Sequence, residues 1–326
     1  MTEALRLREE LFFVVGHHRG GTTLLQAMLS SHPRLTLPPE TQFFLEVWPR
    51  RERLGELSDP AARRRVAAFL SSEECSVRDL GLDPREVLEA LPAGRPDYAD
   101  LFAALLQVWA RSRGKPRAGE KSPGHIHCVP LLAGLYPKAR FVACLRDPRA
   151  VAASELRAEW GTRSVDKIAS RWNRVFDQHQ RLSRALPAER YLMLRYEDLV
   201  TRPEESLARV CSFLGEELAP QMLRYFERPA AELGFDRSER WKHATLQPLD
   251  AARLSAWREE LAPEQVALVE RAVGPRLAAL GYAAAGGPGL SAPGYALARL
   301  RDRLPWALEI ATGAARRKRG PRRKRE

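Results

Sequence analysis

The first ordered signal along the chain is Leu11-Phe-Phe-Val-Val15, five consecutive apolar residues closed by Gly16. A run without polar alternation fits a strand buried on both faces, as inside a parallel sheet. The period then changes. From Thr22 to Ser31, Leu24, Leu25, Met28 and Leu29 recur at helical spacing, and His32-Pro33 ends the segment. A short extended piece, Leu35-Thr-Leu37, leads into Pro38-Pro39-Glu40. From 50 to about 117 the pattern is helical, charged and interrupted by proline and glycine, which predicts a helical insertion over a sheet. A second unit begins near Glu120. It holds the strand-like Arg140-Phe-Val-Ala-Cys-Leu145, a helix opened by Asp147-Pro148, the short strand Tyr191-Leu-Met-Leu194 and a helix over Glu204–Leu214. Strands alternating with helices predict an α/β fold with a central, mainly parallel sheet flanked by helices. One domain is expected over 1–282, then an Ala/Gly/Pro-rich linker at 283–294. The extension 295–326 interleaves Leu297, Leu300, Leu304 and Leu308 with Arg299, Arg301 and Arg303, a basic amphipathic helix broken or bent at Pro305.

Composition narrows this picture without changing it. With 44% hydrophobic and 29% charged residues among 326, the chain is an ordinary globular protein and neither disordered nor collagenous. No run of eighteen apolar residues occurs, and the charged start before Leu11 lacks a signal-peptide pattern, so a cytoplasmic location is expected. Of the net charge of +12, the last eleven residues contribute +7 through eight Arg or Lys against one Glu, so the body is only mildly basic. The four cysteines are widely separated and show no ligand spacing, which predicts reduced thiols and no metal site.

The candidate chemistry starts at Gly16-His-His-Arg-Gly-Gly21-Thr-Thr23, between a predicted strand and a predicted helix. Glycines let backbone N–H groups approach an anion, and a helix N-terminus adds positive potential. A nucleoside triphosphatase would have Lys-Ser/Thr where Thr22-Thr23 stand. Without that lysine, Mg-triphosphate is a poor fit and a smaller phosphate is a better one; Arg19 supplies the full charge. The expected architecture is therefore a P-loop-like three-layer fold. A turn with no ligand is the competing reading.

At these residues the chain resembles the sulfotransferases that use 3′-phosphoadenosine 5′-phosphosulfate (PAPS), and within them the tyrosylprotein branch. Arg19-Gly-Gly-Thr-Thr-Leu24 looks like the family's R-S-G-T-T-L loop for the 5′-phosphosulfate, with Gly20 in place of Ser; Gly20, Gly21, Thr22 and Thr23 would contact the cofactor there. Arg146-Asp-Pro-Arg-Ala-Val-Ala-Ala-Ser154 is similar to the family's Arg and Ser pair for the 3′-phosphate. Tyr196-Glu-Asp-Leu-Val resembles a third segment near the nucleotide. The likeness runs from about Leu11 to Tyr282. The 3′-phosphate pair also makes physical sense, since arginine offers phosphate a charge-assisted fork that a serine hydroxyl completes. The competing reading pairs Arg146 with Asp147.

Sulfuryl transfer to a hydroxyl needs a base on the acceptor side and a cation near the breaking bond. Glu40, twenty-one residues after Arg19, is the leading base, and in the tyrosylprotein branch a Glu followed by Thr at this distance has that role. Its competing reading is a helix cap. His125, His127, His17 and His18 are the rival bases, because the cytosolic branch uses a histidine. Lys121, one of only seven lysines, resembles the family's Lys-x-Pro lysine that contacts the leaving group. One departure stands out. The stretch from Trp241-Lys242-His243 to Pro248 lacks the late-loop serine of the tyrosylprotein enzymes.

The expectation is a PAPS-dependent sulfotransferase acting on a phenol, sugar, lipid or tyrosyl peptide hydroxyl, with no specific nucleic-acid partner and PAP as the nucleotide product. The tail is expected to touch anionic membrane surfaces. The rivals are a P-loop kinase-like phosphotransferase and a nucleic-acid or anionic-surface binder driven by the tail.

Overall fold

Parallel strands cannot be joined by hairpins, so a chain that buries several of them must cross over between each pair. The computed structural model describes residues 8, 11–158, 161–229, 245–287 and 289–311 and has this organisation. Five strands, β1 (Phe12–Gly16), β2 (Leu35–Thr36), β3 (Arg117–Lys121), β4 (Arg140–Leu145) and β5 (Tyr191–Arg195), form one sheet in the order β2-β3-β1-β4-β5. Every pairing is parallel, and β1 lies at the centre, in register with β4 from Phe12↔Arg140 to Gly16↔Cys144. The helices that cover the sheet or frame the site are α1 (Thr22–Ser30), α2 (Tyr98–Ser112), α3 (Pro148–Leu156), α4 (Val165–Ala185), α5 (Pro203–Leu214), α6 (Pro263–Val273) and α7 (Ala292–Ala311).

The apolar run of β1 feeds two cores, one on each face of the sheet. Phe13 and Val15 join Phe102, Trp109, Tyr136 and Trp172. Phe12 and Val14 join Leu25, Met28, Leu194 and Leu207. Burial on both faces explains why no polar residue alternates there. The α/β, three-layer expectation is met.

Three details differ from the sequence expectation. The strand β3, Arg-Ala-Gly-Glu-Lys, has no apolar run to announce it; the sequence marks only a unit beginning near Glu120. It is an interior strand nonetheless, between β2 and β1, because Glu120 and Lys121 are buried in polar partnerships and Gly119 makes room for a ring. A Cβ on Gly119 would fall 2.3 Å from a Phe12 ring carbon. The stretch 50–117 is helical, with Arg51–Leu54, Pro60–Leu70 and Pro84–Glu89, but its last helix, α2, is buried along most of its length and packs with the ring cluster under β1. An Asp97–Asp100 capping box starts α2. The third difference is at the C-terminus. The helix α7 starts at Ala292 and its backbone stays helical through Pro305, so of the break or bend expected there the break does not occur. A proline removes one helical hydrogen bond, and here the turns before it are pinned to the start of α4.

Candidate active site

The carboxyl ends of parallel strands in an open α/β sheet are where ligands bind, because the chain turns there into helix N-termini. The sequence-predicted residues hang from four such ends. The loop after β1 carries Arg19 to Thr23, β3 ends in Lys121, β4 leads into Arg146 and β5 into Tyr196.

The loop after β1 has a strained backbone. Arg19 has φ 64°, in the left-handed region that non-glycine residues avoid, and Gly21 has φ 96°. Gly21 also lies against Tyr196, where a Cβ would come within 2.3 Å of the ring. Gly21→Ala is therefore expected to lose about 1–2 kcal/mol from the backbone alone, with more from the clash. A urea midpoint equal to wild type would show that the loop does not have this shape. The N-terminus of α1 has no side-chain cap and no acidic residue in its first turn, so its amides and positive dipole end face the loop.

Arg19 Nε donates to Ser154 Oγ at 2.9 Å, and Arg146 Nη1 donates to the Arg19 carbonyl at 3.2 Å. The Arg146 guanidinium lies over the Tyr196 ring, 4.3 Å from its centroid. The structure thus joins the three motifs into one cluster. Asp147 does not pair with Arg146. It is held by Arg149 at 2.7 Å and caps α3 through the Arg149 N–H. Among the described residues Arg146 makes no carboxylate ion pair, and its buried Nε has no hydrogen-bond partner. Burial, and then the nearby Arg146 charge, lower the Arg19 pKa to about 10. Two guanidiniums at such close quarters favour an anion between them.

On the other side of β1, Lys121 Nζ donates to Glu40 Oε1 at 2.6 Å; the lysine is fully buried and the Glu40 side chain is 28% exposed. Gln42 Nε2 donates to Glu40 Oε2 at 2.9 Å, so both carboxylate oxygens are oriented. Glu40 does not cap the helix that follows; Gln42 stands at that position. The charges of Glu40 and Lys121 both act on His18, whose side chain is exposed, and this ties the pair to the loop after β1.

The sequence reading missed Glu120. Fully buried, it accepts from Thr41 Oγ1 at 3.0 Å, from the Ser122 hydroxyl and from His125 Nδ1 at 2.9 Å. One carboxylate thereby holds the residue after Glu40 and the residue after Lys121. The signal was a Glu-Lys pair ending a strand that has no apolar face, which is costly unless both charges are partnered. His125 is fully buried, packs edge-on to Phe44 with ring centroids 5.5 Å apart, and its Nε2 has no hydrogen-bond partner among the described residues. His127 is exposed. The stretch Trp241-Lys242-His243 lies outside the described residues.

His17 is buried, and desolvation lowers its pKa to about 3; burial likewise lowers His179 to about 4. Both are neutral in the fold and gain protons on unfolding, so the unfolded state binds more protons below about pH 6.5. Stability should therefore fall as pH drops from 6.5 toward 4, by up to ~1.4 kcal/mol per pH unit for each histidine. His17→Gln should flatten the dependence of the urea midpoint on pH over this range. An unchanged slope would mean that His17 is already protonated in the fold.

Comparison with known proteins gives this geometry a family. The model of the Sulfotransferase family matches residues 12–220. The chain belongs to that family. Protein-tyrosine sulfotransferase 2 of Gallus gallus is 26% identical over 282 residues, spanning 83% of this chain and 69% of that protein. Nodulation protein NoeE of Sinorhizobium fredii is 30% identical over 296 residues, spanning 83% of this chain and 65% of its own length. The solved sulfotransferase domain of the Synechococcus PCC 7002 olefin synthase superposes with a TM-score of 0.57 at 24% identity. It covers 78% of this chain and 88% of that one, which shows a common fold.

Proposed function

We propose that this sulfotransferase uses PAPS as donor and sulfates a hydroxyl acceptor with Glu40 as general base. The observation that carries the reading is the Lys121–Glu40 ion pair at 2.6 Å, on the opposite side of the loop after β1 from the Arg19–Ser154–Arg146 cluster.

The residues present fit PAPS. The uncapped N-terminus of α1 and Arg19 suit the phosphosulfate, and Arg146 with its unpartnered Nε suits the 3′-phosphate, with Ser154 beside it. Gly21 lies against the Tyr196 ring, which Arg146 covers. When bound, PAPS supplies an activated sulfuryl group on a phosphate leaving group. Glu40 takes the acceptor proton as the new bond forms, and Gln42 keeps its carboxylate oriented. Lys121 and Arg19 put positive charge where negative charge grows on the leaving side. His125 is locked against Glu120 inside the protein and acts as a structural residue.

A tyrosyl peptide is the first acceptor to test, because relatives across most of the chain are named protein-tyrosine sulfotransferases. Two measurements test the donor assignment. A saturating ligand near a hundred times its Kd adds about 2.7 kcal/mol of stability, so PAP should raise the melting temperature by several degrees, whereas Mg-ATP should not. A larger shift with Mg-ATP would favour a kinase-like enzyme. Incubation with PAPS and tyrosyl peptides, sugars, phenols or lipids should then give a mass gain of one sulfuryl group on one acceptor class.

A further inference from the structure

The helix α7 is docked the wrong way round for an ordinary surface helix. Its polar side chains face the protein. Arg299 ion-pairs with Asp166 at 2.8 Å, and Arg303 Nε donates to the same carboxylate at 2.5 Å; Asp166 is only 1% exposed. Asp302 in turn caps the start of α4, accepting from Ser164 Oγ at 2.6 Å, Val165 N at 3.1 Å and Asp166 N at 3.0 Å. A buried acid held by two arginines, and a helix start held by the acid between them, fix the rotation of α7 about its axis.

That rotation decides where the leucines go. At 100° per residue, Ala298, Arg299, Asp302 and Arg303 occupy one side of the helix, and Leu297, Leu300 and Leu304 fall within about 60° of one another on the opposite side. They are 49%, 58% and 48% exposed and account for three of the five large apolar side chains that stand out from the described surface. Arg301 is exposed beside them. Five residues beyond the end of α7 the sequence Arg-Arg-Lys-Arg-Gly-Pro-Arg-Arg-Lys-Arg begins, eight cations in ten residues.

We propose that this outward leucine stripe is the surface through which the protein lies on an anionic lipid bilayer, with the basic tail supplying the electrostatic half of the contact. An apolar stripe on a helix gives shallow insertion, and a cluster of Lys and Arg next to it gives attraction to acidic headgroups; together they are the two signals that a reversible membrane contact needs. A nucleic acid would use the tail and leave the leucines exposed. A second copy of the chain would cover the leucines and gain nothing from eight like charges meeting across an interface. No described helix is long and apolar enough to cross a membrane.

The test is cosedimentation of the full chain with phosphatidylcholine vesicles containing about a third phosphatidylserine, against pure phosphatidylcholine. Binding is expected with the acidic vesicles alone and should weaken as salt rises. Each Leu→Gln change in the stripe should weaken partitioning about tenfold, the scale set by exposing one buried leucine. The triple variant Leu297→Gln, Leu300→Gln, Leu304→Gln should keep wild-type melting and wild-type PAP affinity, since these side chains already face solvent. As a second readout, the added tryptophan of the Leu300→Trp variant should show a blue-shifted emission with acidic vesicles, read as the difference from wild type. Wild-type partitioning by the triple variant would overturn the proposal. So would binding of the Leu300→Trp variant to acidic vesicles with no shift in that emission, which leaves a tail-only contact with any polyanion. A wild-type dimer that the triple variant converts to monomer, without vesicle binding, would assign the stripe to a second copy.

Discussion

Glu40→Gln should lower the turnover of sulfuryl transfer by about 10²–10⁴-fold, the contribution of a positioned general base, with PAP affinity within a few-fold of wild type. The substitution keeps the size of the side chain and removes its basicity, and with the Gln42 amide turned over to accept from the new NH2 it keeps its bond with Gln42 as well. It also removes the negative charge beside the buried Lys121. An unpaired buried ammonium is costly, so some loss of melting temperature should accompany the loss of rate, and PAP binding shows whether the donor site has survived it. His125→Asn gives the contrast. Asparagine retains a donor for Glu120, and because His125 is sealed inside the protein the rate should change far less. The opposite pair of results, an active Glu40→Gln and a dead but folded His125→Asn, would move the base to the histidine.

Arg146→Ala should weaken PAP binding by about ten- to a hundredfold, since a charge-assisted contact is worth about 1.5–3 kcal/mol. Affinity for adenosine 5′-phosphosulfate, which lacks the 3′-phosphate, should hardly change. The structure supplies a reason to run both ligands. Arg146 also holds the Arg19 carbonyl, so a purely structural role would loosen the whole loop and weaken the two nucleotides alike. Equal losses on titration would therefore reject the 3′-phosphate assignment. Arg146→Lys separates charge from shape: it keeps the cation and loses the planar fork, and should fall between the other two proteins.

Legibility in the sequence follows from what kind of force makes each part. The strands at Phe12, Arg140 and Tyr191 could be read because apolar runs announce burial on both faces. The strand Arg117–Lys121 could not, because its burial is electrostatic: besides the adjacent Ser122 and His125 it depends on Thr41 and Glu40 arriving from elsewhere. The residues of the nucleotide motifs were recognisable one by one, and both members of the Glu40–Lys121 pair were named. Their contact was invisible, since no spacing rule joins residues 81 positions apart. The C-terminal helix was legible as basic and amphipathic. Its orientation was not, because a helical wheel has no way to know that Asp166 waits beneath Arg299 and Arg303.

Every pairing in the sheet is parallel, and this has a consequence for how the protein comes into being. No two strands can be closed by a tight hairpin, not even the consecutive pairs β2–β3 and β4–β5, and β1 must wait for residues 117–121 and 140–145 before it has any partner at all. The Arg19–Ser154 bond closes a span of 135 residues, and Tyr196 arrives later still. Contacts at such separations incur loop-closure entropy before they return any stability, so folding is slow for the size of the chain. On the ribosome the first strand of the site emerges early and remains an unpaired apolar segment while most of the domain is still being synthesised. The half-made enzyme thus carries an unpaired apolar strand, Phe12–Gly16, for most of its synthesis. Production at low temperature, or with a chaperone that covers Leu11–Val15, is therefore expected to raise the yield of folded protein.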